Sequence, residues 1–176
     1  MEIYYCTATT DEELKEILAL QNRNMFTTIS DEEREKEGFV TVMHSFDILK
    51  QMNSICPHII AKDISKVVGY TLSMHPNFGD DIPVLKPMFK ELESLKIKNY
   101  LVMGQVCVDK DYRKKGVFRE LYATMKKEYK NNYATIITEV DVTNTRSFNA
   151  HKAIGFELLH SYESLGQQWN IIALPT

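Results

Sequence analysis

V-C-V-D-K-D-Y-R-K-K-G-V-F-R, residues 106–119, carries an apolar strand through a basic, glycine-bearing turn and into an amphipathic helix. The ten residues before the turn, 99–108 (N-Y-L-V-M-G-Q-V-C-V), are mostly apolar or β-branched and carry no charge, which is the mark of a buried strand. Beyond it Val117, Leu121, Met125 and Tyr129 recur every fourth position, so one helical face packs inward. Between strand and helix stand Arg113, Lys114, Lys115 and Gly116. The first N–H groups of a helix have no partner within it and carry the positive end of its dipole, so an anion placed there collects several hydrogen bonds. A glycine lets such a ligand approach the backbone. On spacing alone, an ordinary connection whose lysines are merely solvated fits equally well.

A second stretch downstream narrows the choice. Residues 134–140 (A-T-I-I-T-E-V) read as a strand, and 144–156 (N-T-R-S-F-N-A-H-K-A-I-G-F) as a capped helix ending in Gly-Phe. Taken in order, the two stretches resemble the GNAT acetyltransferase superfamily. Its pyrophosphate-loop pattern, Arg or Gln, two residues, Gly, one residue, then Gly or Ala, falls on Arg113, Gly116 and Phe118. Its later pattern, an Asn followed seven residues on by an aromatic and then Gly-Phe, falls on Asn144, His151, Gly155 and Phe156. Two positions depart from the pattern: Phe118 replaces a small residue and His151 replaces a tyrosine. The resemblance covers roughly residues 57–174 and implies an α/β fold, a central mixed sheet of about six or seven strands flanked by about four or five helices, in a single domain over 1–176.

The resemblance also implies roles. Acetyl-coenzyme A would be the co-substrate, with no metal. The backbone of Val106, Cys107 and Val108 would align its pantetheine arm in the manner of an added strand. The amides of the turn, Lys114, Lys115, Gly116, Val117, Phe118 and Arg119, would hold its pyrophosphate, with Arg113 counted among the cofactor-binding residues. The Val106 amide would meet the acetyl carbonyl and stabilise the oxyanion. Asn144 and Ser147 would lie on the pantetheine side, with Asn144 also a good helix cap. Glu139, twelve positions before His151, resembles the base of the ribosomal-protein N-terminal acetyltransferase branch; a structural glutamate is the alternative. His151 is expected to replace the tyrosine as donor to the departing sulfur, in its protonated form; a helix-surface or packing role is the alternative. The implied reaction is acetyl transfer to a primary amine. A non-catalytic acyl-coenzyme A binder and a same-fold transferase for a longer acyl group are kept beside it.

Composition sets outer limits. A chain of 176 residues with 44% apolar content suffices for one packed core. Its net charge of −3 and pI near 6.0 argue against a general nucleic-acid binder. Basic residues are concentrated locally, from Arg113 to Lys130, and would draw an anionic small ligand to that face; Lys126, Lys127 and Lys130 read as solvated. The N-terminus lacks a signal-peptide pattern and no run is long enough for a membrane helix, so a cytoplasmic, non-membrane protein is expected, with a homodimer as one assembly it allows. Cys6, Cys56 and Cys107 form no C-x-x-C pair and read as reduced, buried thiols. G-K-[ST], a dinucleotide fingerprint and G-x-S-x-G are all absent, which removes nucleotide P-loop, Rossmann and serine-hydrolase readings. His44, His58, His75 and His160 stand alone and read as structural or exposed.

The remaining chain completes the pattern. A strand is expected at 2–8, a helix over 11–23 opened by the capping box Thr10–Glu13, and a short helix from Ser30 to Gly38. A short strand at Phe39–Met43 and a helix from Ser45 to Ile55 follow, then two strands, 58–63 and 67–74, joined by a turn. Residues 75–83 read as loop, Val84–Leu95 as helix despite Pro87, and 156–162 and 168–174 as strands. The resemblance implies that the acceptor meets residues 22–38 and 75–88; the acidic run Asp31–Glu37 would attract a cationic amine or be a solvated helix face, and Phe26, Met74 and Phe78 offer apolar lining or core.

Overall fold

The structure is a computed structural model that describes residues 2–25, 27, 28, 40, 42–80 and 82–176. Seven strands form one mixed sheet in the order β1-β2-β3-β4-β5-β7-β6. By backbone contacts the chain divides into two compact units, Met1–Met74 with Gly104–Lys127 and His75–Met103 with Glu128–Thr176.

The first unit holds β1 (Ile3–Thr7), α1 (Asp11–Arg23), α2 (Phe46–Ile55), β2 (Ile59–Asp63) and β3 (Lys66–Met74). It also holds the later half of β4 (Tyr100–Val108) and most of α4 (Val117–Tyr129). β1, β2 and β3 pair antiparallel, with a bulge at Ala61/Lys62. The Thr10 side chain accepts from the Glu13 amide while the Glu13 carboxylate accepts from the Thr10 amide, the reciprocal cap expected from the sequence. Such a cap contributes about 1 kcal/mol. Glu13 also binds Lys62 of β2 at 2.7 Å, tying the helix start to the sheet. Burial alone would raise the Glu13 pKa, but Lys62 and the amides of Thr9 and Thr10 outweigh it and hold the carboxyl at about 2. Ser45 caps α2 through the Ile48 amide. Leu14, Ile17 and Leu20 of α1, Leu49 and Met52 of α2, and Val68, Tyr70 and Leu72 of β3 are buried; each large apolar side chain so buried contributes about 1.5–3 kcal/mol. Gly69 lies where α4 crosses β3: a Cβ there would sit 3.2 Å from Val117, 3.3 Å from Leu121 and 3.3 Å from the Cys107 carbonyl.

In the second unit the start of β4 pairs parallel with β5 (Thr135–Asp141), Tyr100–Val102 against Thr135–Ile137. β7 (Gln167–Pro175) lies between β5 and β6 (Glu157–Ser164), antiparallel to both. α3 (Lys86–Ser94) and α5 (Thr145–Lys152) complete the unit. Pro87 falls in the first turn of α3, where its missing N–H costs nothing, which is why the helix forms despite it.

Seven strands and, among the described residues, five helices match the architecture read from sequence. Three expectations change. Within 75–83 a 3-10 turn, Pro76–Asp80, replaces plain loop, and a second, Pro83–Leu85, takes the first residues of the helix expected from Val84. Cys6 is exposed, because β1 is the sheet's edge strand and its alternation turns that thiol outward; Cys56 and Cys107 are buried, and none of the three is in a disulfide. Of the strand expected at 39–43, the described residues show one parallel bridge, Met25 to Val40. The helix expected from Ser30 to Gly38, with its acidic run, and Phe26 lie outside the described residues.

Candidate active site

Along the end of β4 the alternation is regular: Gln105 and Cys107 are buried, Val106 and Val108 half-buried. Gln105 anchors the strand from below. Its Oε1 accepts from Gln21 Nε2 at 2.7 Å and from the Tyr70 hydroxyl at 2.6 Å, and its Nε2 donates to the Val42 carbonyl at 2.8 Å. Gln21 in turn meets His44 Nδ1 at 2.9 Å. A buried polar network with its members satisfied fixes a strand more tightly than apolar packing alone. Burial pushes the Cys107 thiol up to about 12, so it stays protonated and only its backbone is suited to a ligand.

After Val108 the chain turns. Asp109 is 7% exposed and caps a single 3-10 turn through the Asp111 amide. Arg113 leans back into the fold: Nε donates to the Val108 carbonyl at 3.0 Å and a terminal nitrogen to Oδ1 of Asn24, the C-cap of α1, at 2.7 Å. Its guanidinium therefore braces the turn. Lys114, at φ 61°, and Gly116, at φ 82°, both adopt the left-handed conformation, which coils the backbone sharply into α4 at Val117. Successive amides in such a turn converge on one concavity, an anion-binding shape. Lys114, Lys115, Gly116 and Arg119 are exposed, and nothing lies within 4 Å of a Cβ built on Gly116. Lys115 rests over the Tyr112 ring at 5.3 Å. Phe118, the departure from the family's small residue, packs edge-on against Tyr122 at 5.1 Å, one helical turn on. Val117 is 1% exposed and seats the helix in the core.

The second unit carries the titratable candidates. Glu139 of β5 is half-buried, and its Oε2 accepts a 2.5 Å hydrogen bond from the Tyr162 hydroxyl of β6. Burial raises its pKa to about 7, against the lowering effect of the Tyr162 hydrogen bond. A carboxyl so placed is divided between acid and base forms at neutrality, which suits proton transfer. Asn144 caps α5: its Oδ1 accepts from the Ser147 amide at 3.0 Å.

His151 stands in surroundings that favour the packing alternative over the protonated donor. It is 2% exposed, edge-on to Phe156 at 5.0 Å, and its Nδ1–H donates to the Ser147 carbonyl at 2.8 Å. Burial lowers its pKa to about 4 despite that hydrogen bond, so the protonated form expected to donate to sulfur is not the form present at neutral pH. The position, seven after the cap, was legible; the helix packing that buries it was not.

His44 and His58 are structural, as expected. His58 is fully buried, its Nε2–H donating to the Leu49 carbonyl and its Nδ1 accepting from the Ser73 amide, with a pKa lowered by burial to about 4. His160 faces Glu91 at 3.4 Å. Met74 and Phe78, offered as acceptor lining, are buried. Sequence reasoning missed Tyr162 altogether; only the period-2 alternation of the last two strands hints that it shares a face with Glu139. Among the described residues no group of His, Cys, Asp or Glu is arranged to hold a metal ion, and no helix is long and apolar enough to cross a membrane.

The sheet order, the strand–turn–helix at 106–119 and the capped helix after β5 define a known class. The acetyltransferase (GNAT) family model matches residues 13–156, and the chain belongs to that family, an acyltransferase family whose members draw on acyl-coenzyme A. No curated protein is similar enough in sequence to count as a match. Solved structures share the fold at low identity. The ribosomal-protein-S18-alanine N-acetyltransferase from Escherichia coli has a TM-score of 0.66 at 14% identity, covering 99% of this chain and 94% of its own. The ribosomal-protein-alanine N-acetyltransferase from Brucella melitensis has 0.65 at 17%, covering 98% and 99%. The NatC complex bound to Gag peptide and CoA has 0.66 at 17%, covering 100% and 99%.

Proposed function

We propose that this protein is an N-acetyltransferase that moves an acetyl group from acetyl-coenzyme A to a primary amine, within a single domain spanning the whole chain. The observation that carries the reading is the braced turn at 113–119, where two left-handed residues and exposed lysines precede a helix start. A pyrophosphate accepted there would meet the amides of Lys114 to Arg119 and the dipole of α4. The parallel pairing of β4 with β5 covers Tyr100–Val102, before Val106 and Val108. This supports a role for the latter two as backbone partners of the pantetheine arm, with the Val106 amide donating to the acetyl carbonyl as charge develops on its oxygen.

The acceptor must attack as a neutral amine. Its nitrogen lone pair bonds to the thioester carbonyl carbon, the C–S bond breaks, and the sulfur leaves with its electron pair. The proton released from nitrogen passes to the Glu139 carboxylate, directly or through one water. With its pKa raised to about 7, Glu139 takes that proton more readily than an ordinary glutamate and is still largely ionised above neutrality. His151, neutral and buried, serves by holding α5 against Phe156. The acidic side chain at 139 in the second unit and the cationic turn in the first suit an amine and a phosphate respectively.

Release of free thiol from acetyl-coenzyme A in the presence of primary amines and peptides with free N-termini tests the reading. Amine-dependent release that Glu139→Gln suppresses is the expected result. Calorimetric binding of coenzyme A without thiol release for any amine would leave an acyl-coenzyme A binder instead, and faster turnover with butyryl- or octanoyl-coenzyme A would move the donor to a longer chain.

A further inference from the structure

We infer that Tyr162 is a positioning residue for Glu139: its hydroxyl, brought across β7, occupies one carboxyl oxygen and turns the other toward the acceptor. The inference rests on the reading of Glu139 as the base.

Strand register puts the two side chains together. Glu139 pairs with Ile171, and Tyr162 pairs with Trp169. Residues directly opposite on neighbouring strands share a face, as do residues two apart on one strand, so Glu139, Ile171, Trp169 and Tyr162 project from the same side of the sheet. β7 separates β5 from β6, a span of about 10 Å at roughly 4.8 Å per strand. Closing it takes two long side chains aimed at each other. The Tyr162 hydroxyl donates to Glu139 Oε2 at 2.5 Å. Tyr162 is 8% exposed, so the bond forms largely out of water, where it is directional and strong.

A phenol has one proton to give, and here it goes to Oε2. The acceptor's proton is then taken by Oε1, whose lone pairs are aimed by a carboxyl that no longer rotates freely. Burial, the hydrogen bond to Glu139 and the nearby charges of Glu139 and Glu91 all raise the Tyr162 pKa, so the hydroxyl remains a donor across the working pH range. The same bond opposes the rise that burial imposes on Glu139. Without it the carboxyl would hold its proton to higher pH and would be a base in fewer molecules at neutrality. Titratable groups on the strands and helices about Glu139 are Tyr162 and His160 of β6, the latter facing Glu91 of α3, Asp141 of β5 itself, and His151 of α5, which is neutral. Tyr162 is the one hydrogen-bonded to the carboxyl.

Tyr162→Phe keeps the ring and removes the donor. Carbon-13 NMR of the Glu139 carboxyl in the protein without substrate should show its titration midpoint rising by about one pH unit. The kcat/KM for acetyl-coenzyme A and the best amine of the panel should fall about fivefold at pH 7 and recover above pH 8, with KM little changed. Placing 2,3-difluorotyrosine, a more acidic phenol, at position 162 should move the midpoint down instead. An unmoved midpoint in both variants, or a rate loss equal at every pH, overturns the inference. Failure of the base reading looks different: Glu139→Gln would retain near-normal turnover, whatever the midpoint does in Tyr162→Phe.

Discussion

Acidification should cost this fold stability through His151, by an amount that its burial sets. The imidazole is 2% exposed, gives its Nδ1 proton to the Ser147 carbonyl and packs on Phe156, and burial takes its pKa from 6.5 to about 4. A histidine with a lowered folded pKa contributes stability that is complete above the unfolded value and is lost as pH falls through the folded one. At about 1.4 kcal/mol per pH unit, the full loss is about 3 kcal/mol, of which about 2 kcal/mol has gone by pH 5. His58 adds a loss of the same sign in the same range. Glu139 works in the opposite direction, since its raised pKa contributes stability below about 4.5 that disappears as pH climbs through about 7. The difference between wild type and His151→Phe cancels both of these. Urea unfolding of the two proteins at pH 7.5, 6.5, 5.5 and 5 should show wild type losing about 2 kcal/mol more than the variant over that span. Nitrogen-15 spectra of the imidazole should show the neutral Nδ1–H tautomer down to pH 5. A midpoint at 6.5 or above, or parallel stability curves, would refute the argument and return His151 to the list of donors near neutrality.

Gly116→Asp should abolish coenzyme A binding by calorimetry while leaving the thermal midpoint within a few degrees, since it puts a carboxylate where an anion would sit; retained affinity would move the phosphate site elsewhere. Glu139→Gln should lower turnover by about a hundredfold or more with coenzyme affinity unchanged, and the wild-type kcat/KM should rise through pH 7 rather than pH 4.5. Gly69→Ala should destabilise by about 1–2 kcal/mol in urea, because its methyl would press on Val117, Leu121 and the Cys107 carbonyl at once; a neutral result would mean that β3 and α4 separate easily.

Much of this architecture was written in short-range pattern. The Thr10–Glu13 cap, the four-residue recurrence from Val117 to Tyr129 and the uncharged run before Val108 each specify a local choice that tertiary packing then follows. Pro87 could be placed because a proline is harmless only in a helix's first turn. The candidate site divides along the same line. The turn at 113–119 is contiguous, so its residues announce themselves together. Tyr162 stands twenty-three positions from Glu139 and reaches it only through the register of two antiparallel pairings. His151 shows the converse: its position followed from the motif, but its charge state depends on burial, which no spacing encodes. Arg113 likewise belongs to the contiguous turn, but that its side chain reaches inward to Asn24 and the Val108 carbonyl follows from tertiary packing alone.

That inward turn of Arg113 ties affinity to folding. With its guanidinium shared between the end of α1 and the last carbonyl of β4, the turn is braced by the chain itself, so a phosphate bound there as proposed would meet a loop already organised. The same brace couples the loop to the end of α1: if the turn holds a phosphate as proposed, fraying of α1 near Asn24 would loosen that hold without touching the amides themselves.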